Sequence, residues 1–135
     1  MKYIGLVTVI VLSLGCTNTA SSSHNPEIMA DLASQLKDVA AAVDGTLKFN
    51  ANTFNDPQAL LMAAINNDAS KIAPFKGYQL KIETQANNAV LLLCKDEVIL
   101  IEDAGCTAQS DVQHWQSKQK QACQLTINTT EICKP

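Results

Sequence analysis

Apolar positions fall into three regimes along the chain. Over residues 4–14 they form a near-continuous run, broken only by Gly5, Thr8 and Ser13. From Ile28 onward they recur at helical spacing: Ile28, Met29, Leu32, Leu36, Val39 and Val43 share one stripe, with Asp31, Lys37 and Asp38 off it. Beyond Gly77 the period drops to two. Tyr78, Leu80 and Ile82 alternate with Gln79, Lys81 and Glu83, the pattern of a half-buried strand.

Turn and cap residues punctuate these regimes. Asn25-Pro26 starts the first helix, with asparagine as cap and proline at the first helical position. Gly45 is the predicted stop, and residues 46–49 read as a short strand beyond it. Asp56-Pro57 repeats the start signal before Leu60, Leu61, Ala64 and Ile65, a shorter helix ending near Asn66-Asn67. Residues 85–88 read as a turn. Residues 90–94 and 98–101 are dense apolar runs separated by Lys95-Asp96-Glu97, which predicts a hairpin. Cys123, Leu125 and Ile127 alternate in a predicted last strand. The sum is an α+β fold, two N-terminal helices packed on one face of an antiparallel β-meander, with residues 26–135 as a single domain.

The apolar run at the N-terminus follows a short positive start, Met1-Lys2-Tyr3. It is shorter than the roughly 20 residues that a bilayer core requires and has the size of a secretory core segment. It ends in Leu12-Ser13-Leu14-Gly15-Cys16, which resembles the lipobox of bacterial lipoproteins. The resemblance implies a signal peptide over residues 1–15, cleavage after Gly15 and a diacylglycerol on the Cys16 sulfur. That family usually has leucine where Ser13 stands. Ser13 and Gly15 also fit the small-x-small rule of an ordinary secretory cut, so secretion without lipid is the alternative. Thr17, rather than aspartate, after the cysteine implies sorting to the outer membrane, facing the periplasm. Residues 17–25 are polar and bury too little to offset chain ordering, so 16–25 reads as a lipidated cysteine and flexible tether. His24 within it is predicted to be solvated.

Charge narrows the partner. The net charge is −3 and all ten basic residues are lysines, which argues against nucleic acid, whose phosphates call for clustered positive charge and usually arginine. The membrane partner is reached through the lipid anchor. No cofactor is implied.

With Cys16 given to lipid, Cys94, Cys106, Cys123 and Cys133 remain, an even count that predicts two disulfides in an exported domain. Three connectivities are possible. Cys123 and Cys133 are symmetric about Asn128, so a turn there would set them opposite each other, and Cys94 would pair with Cys106 by elimination. Zinc is the competing reading. Structural zinc usually needs a close cysteine pair, and no two cysteines here are closer than ten positions.

Two clusters could carry chemistry. Ser110, Asp111 and His114 lie within five residues, whereas a hydrolytic triad converges from separate elements. Ser110 with Gln113 matches a helix capping box instead, placing Trp115 on the sheet and His114 at the surface. Asp96, Glu97, Glu102 and Asp103 could do acid–base work or bind calcium. Around a hairpin turn and a strand end they read as a solvated acidic rim. Lys118 to Gln121 reads as an exposed loop. The reading is therefore a non-enzymatic envelope lipoprotein that binds an envelope or secreted protein, as accessory, inhibitor or immunity factor. A small periplasmic hydrolase or wall-modifying enzyme using His114 or the acidic cluster is the alternative.

Overall fold

The computed structural model describes residues 24–50 and 54–134. The signal peptide, the lipobox and Cys16 lie outside them.

Helix α1 spans Pro26–Phe49, capped as the sequence predicts: Asn25 accepts from the Glu27 N–H at 2.8 Å. It does not stop at Gly45, and no strand follows there. Asp44 and Lys48 bridge one helical turn at 2.6 Å, and the Thr46 hydroxyl donates to Ala42 O at 2.8 Å. Leu47 packs on the core. Nothing lies within 4 Å of where a Gly45 Cβ would stand, so glycine there costs only its own helix propensity, about 1 kcal/mol. Tertiary packing outweighs that. Helix α2, Pro57–Ala64, starts where predicted, with Asp56 accepting from the Ala59 N–H at 2.8 Å. Asn66 and Asn67, both at positive φ, end it.

Three strands, β1 (Gln79–Gln85), β2 (Asn88–Lys95) and β3 (Val98–Ala104), form an antiparallel meander in the order β1-β2-β3. The turns Ala86-Asn87 and Asp96-Glu97 each hold two residues at positive φ, the two-residue hairpin geometry that matches strand twist. Helix α1 lies over β2 and β3, while α2 packs chiefly on α1 and reaches the sheet at β1. The fold is mixed α+β.

The sheet is covered on both faces, not one. Ala89, Leu91 and Leu93 of β2 join the core under α1, with Met29, Leu36 and Val43. Val90, Leu92 and Cys94 face the other way, into a second core packed by Cys106, Cys123, Leu125, Ile127 and Cys133. This is why β2 reads as a continuous apolar run: both faces of the strand are buried. The second cover is irregular chain. The predicted strand around Cys123, Leu125 and Ile127 is absent; their alternation records one-sided burial, which a pinned irregular segment satisfies equally well.

Two disulfides do the pinning, Cys94–Cys123 and Cys106–Cys133, with Cα separations of 5.9 and 5.6 Å. They overturn the pairing suggested by spacing. Cys94 sits beside the Asp96-Glu97 turn, opposite Ile99, whereas Cys106 lies past Ala104 at the far end of β3. A strand's length separates them. Asn128 is no hairpin turn either: it caps the one-turn helix α3, Thr129–Ile132, through the Thr130 N–H at 3.1 Å. The bridges enclose sequence separations of 29 and 27, for which chain entropy suggests on the order of 3.5 kcal/mol each. Because the loops overlap, these contributions do not simply add.

Helix α1 and the chain just past β3 approach closely at Gly105, where a Cβ would collide with Ala40 O and with the Asp44 Cβ. At the same level Asp44 is buried and accepts from the Ala89 N–H at 2.9 Å. Urea unfolding of the oxidised protein should separate the two glycines. Gly105→Ala is expected to destabilise by about 1–3 kcal/mol through overpacking, and Gly45→Ala to stabilise by about 0.5–1 kcal/mol. Equal effects at both positions would contradict this packing.

Candidate functional site

Adjacent residues of β3 point to opposite faces, and this splits the predicted acidic rim. Asp96 and Glu97 are exposed at their turn, but Glu102 and Asp103 are both 0% exposed. The rim reading fails for the latter two because the C-terminal segment and α1 cover the faces they occupy.

Glu102 organises the second face. Its Oε1 lies 2.7 Å from His114 Nε2 and accepts from the Thr126 hydroxyl. Its Oε2 accepts from the backbone N–H groups of Thr126 at 2.9 Å and Ile127 at 3.3 Å. Its own backbone exchanges bonds with Val112 at 2.9 and 3.2 Å. One residue, through side chain and backbone together, thus ties β3 to residues 112, 114, 126 and 127. His114 is drawn inward, its side chain 8% exposed, not set at the surface. Thr126 is a residue that sequence reasoning missed, since nothing local distinguishes it from other loop threonines.

Glutamate, histidine and threonine together suggest a triad, but the connectivity is wrong. In a triad the acid holds one ring nitrogen and the nucleophile meets the other. Here Glu102 Oε1 and Thr126 Oγ1 both approach Nε2, at 2.7 and 3.4 Å. Ser110 and Asp111 do not join them. The Ser110 hydroxyl donates to Ala33 O at 3.4 Å, and Asp111 accepts from the Ala104 N–H at 2.5 Å. The predicted capped helix is only a 3-10 turn, His114–Gln116, without a side-chain cap, though Trp115 does pack against the α1-side core.

Asp103 faces α1, opposite Leu91. Neither carboxyl oxygen has a hydrogen-bond partner. Burial pushes its pKa from 3.8 up to about 8, Asp111 and more weakly Asp38 push the same way, and Ser110 and Lys37 oppose without reversing it. Burial also raises Asp111. An unpaired buried carboxyl is held neutral at pH 7, because charging it would cost far more.

Further surface features complete the picture. An open groove of about 650 Å³ is lined by Gln79, Leu80, Lys81, Glu97, Cys123 and Gln124, with Lys81 Nζ donating to Cys123 O at 3.3 Å. Residues 118–121 are exposed, as predicted. His24 is half-buried, not fully solvated. Among the described residues, no group of three or more His, Cys, Asp or Glu is arranged to hold a metal ion. No described helix is long and apolar enough to cross a membrane. The two disulfides fit an oxidising, extracytoplasmic compartment. Comparison of the chain with family models, curated proteins and solved structures finds no match.

The Asp103 environment gives a signed pH dependence. Its pKa is raised on folding, so the folded state holds a proton that the unfolded chain releases above about pH 4. The resulting stability is present at low pH and lost as pH rises from about 4 through 8, at no more than about 1.4 kcal/mol per pH unit. Thermal unfolding between pH 5 and 9 should show Tm falling with pH, and Asp103→Asn should flatten that slope. A wild-type slope unchanged by the substitution would contradict the assignment.

Proposed function

We propose that the chain is a lipid-anchored envelope protein, attached to the outer membrane through Cys16 and facing the periplasm, whose domain binds another protein and performs no catalysis. The observation that carries the reading is the fixing of the irregular segment 106–133. Two crossed disulfides and the Glu102 staple hold it on the sheet, so it presents a preorganised surface at little ordering cost on binding. The groove between β1 and residues 122–124 adds relief to that surface. The Glu102–His114–Thr126 cluster supports the same reading, since its polar atoms are committed to holding chain segments together. Leu12 to Cys16 supply the anchor, and two of the acyl chains implied by such a motif would hold a membrane stably where one is marginal.

Wild-type protein should partition into the detergent phase of a Triton X-114 extraction and carry acyl mass on Cys16, and Cys16→Ala should abolish both. An aqueous-phase wild type without acyl mass contradicts the anchor and leaves simple secretion. In intact envelopes, a photo-crosslinker at exposed Gln124 should yield a discrete adduct with a different protein. Recovery of only glycan or lipid contradicts protein binding. Substrate turnover that Glu102→Gln or His114→Ala abolishes, with Tm held, would establish the hydrolase instead.

A further inference from the structure

The sheet has two edges, and among the described residues backbone pairing reaches only one of them. Along β3, Ile99 donates to Gln121 O at 3.1 Å, and Glu102 and Val112 exchange bonds. Among the described residues, no backbone bond reaches the outer edge of β1. Which groups line that edge follows from the turn. The two-residue loop Ala86-Asn87 makes Gln85 and Asn88 a hydrogen-bonded pair, and the pairing alternates from there. Gln79, Lys81, Glu83 and Gln85 therefore bond inward to β2. Leu80, Ile82 and Thr84 direct their N–H and C=O groups away from the sheet.

An exposed edge accepts another strand unless its side chains forbid it, and charged residues are the usual deterrent. Here the charges are self-complementary. About a two-fold axis through Ile82, an antiparallel second copy places Ile82 opposite Ile82, Leu80 opposite Thr84, and Gln79 opposite Gln85. Lys81 falls opposite Glu83 of the second copy, and Glu83 opposite its Lys81. In this register every outward backbone group of residues 80, 82 and 84 finds a partner, and both charge pairs occupy non-hydrogen-bonded positions, where facing side chains lie closest. The two side chains are 51% and 37% exposed and share only a 3.5 Å contact within one copy. A shift by two residues in either direction would break the match.

We infer that the chain forms a symmetric dimer through antiparallel β1–β1 pairing centred on Ile82, joining the two three-stranded sheets into one. The dimer goes beyond the binding reading above; it shares Gln79, Leu80 and Lys81 with the groove, but its test is separate, because the purified protein alone reports on it. Sedimentation of the oxidised full chain, in detergent, should show a monomer–dimer equilibrium. Lys81→Glu and Glu83→Lys each convert both charge pairs to like charges, and each alone should weaken dimerisation roughly ten-fold or more. The double variant, and an equimolar mixture of the two single variants, should both restore it, since opposite charges again face each other. Lys81 is exposed and Glu83 half-buried, and the one further bond lost is that of Lys81 to Cys123 O, so the variants are expected to fold, which Tm and the oxidised disulfides check. A wild-type monomer at submillimolar concentration overturns the inference. So does a dimer indifferent to the single reversals, or a mixture that stays monomeric.

Discussion

A strand that is apolar on both faces must be covered twice, and β2 imposes that demand on the whole molecule. Residues 89–94 are buried throughout, in a sheet of only three strands. One helix can shield one face of so small a sheet. The other face would stay wet unless some further part of the chain lay against it, and among the described residues no second helical layer covers it. Residues 106–133 serve instead, mostly irregular apart from the 3-10 turn His114–Gln116 and the one-turn helix α3. Irregular chain makes a poor lid, because its backbone polar groups lack an internal ladder and its ordering costs entropy.

The solution is covalent and polar together. Cys94–Cys123 and Cys106–Cys133 fasten the segment near opposite ends of the sheet, and Glu102 satisfies backbone donors between them. Gln85 and Thr129 add a third tie, with the Thr129 N–H donating to Gln85 Oε1 at 2.7 Å and its hydroxyl to Gln85 O at 2.9 Å. The side chain at position 102 thus helps to hold the lid. The same neighbourhood carries a liability at Asp103, whose carboxyl has burial without partners. Adjacent residues of one strand thus differ in how many donors reach a buried carboxyl group.

Local signals in the sequence translated well. The caps at Asn25 and Asp56, the helical stripe from Met29 to Val43, and both hairpin turns lie where composition and period place them. What was illegible depends on distance. Gly45 looks like a stop until Asp44, Thr46 and Leu47 are seen to hold the helix beyond it. Cysteine spacing favours close pairs, but antiparallel strands carry Cys94 and Cys106 to opposite ends. Glu102 and Asp103 look like one acidic site because the chain lists them together, and the pleat sends them to opposite faces. Thr126 carried no signal, because its role exists only once the lid has closed over β3.

The crossed bridges are the covalent part of what fixes the second cover on the sheet, with Glu102 and the Gln85–Thr129 tie beside them. Non-reducing proteolysis of the oxidised protein, with mass spectrometry of the linked peptides, tests them directly. The expected fragments join Cys94 to Cys123 and Cys106 to Cys133. Fragments joining Cys94 to Cys106 and Cys123 to Cys133, or free thiols at these four positions, would contradict the account.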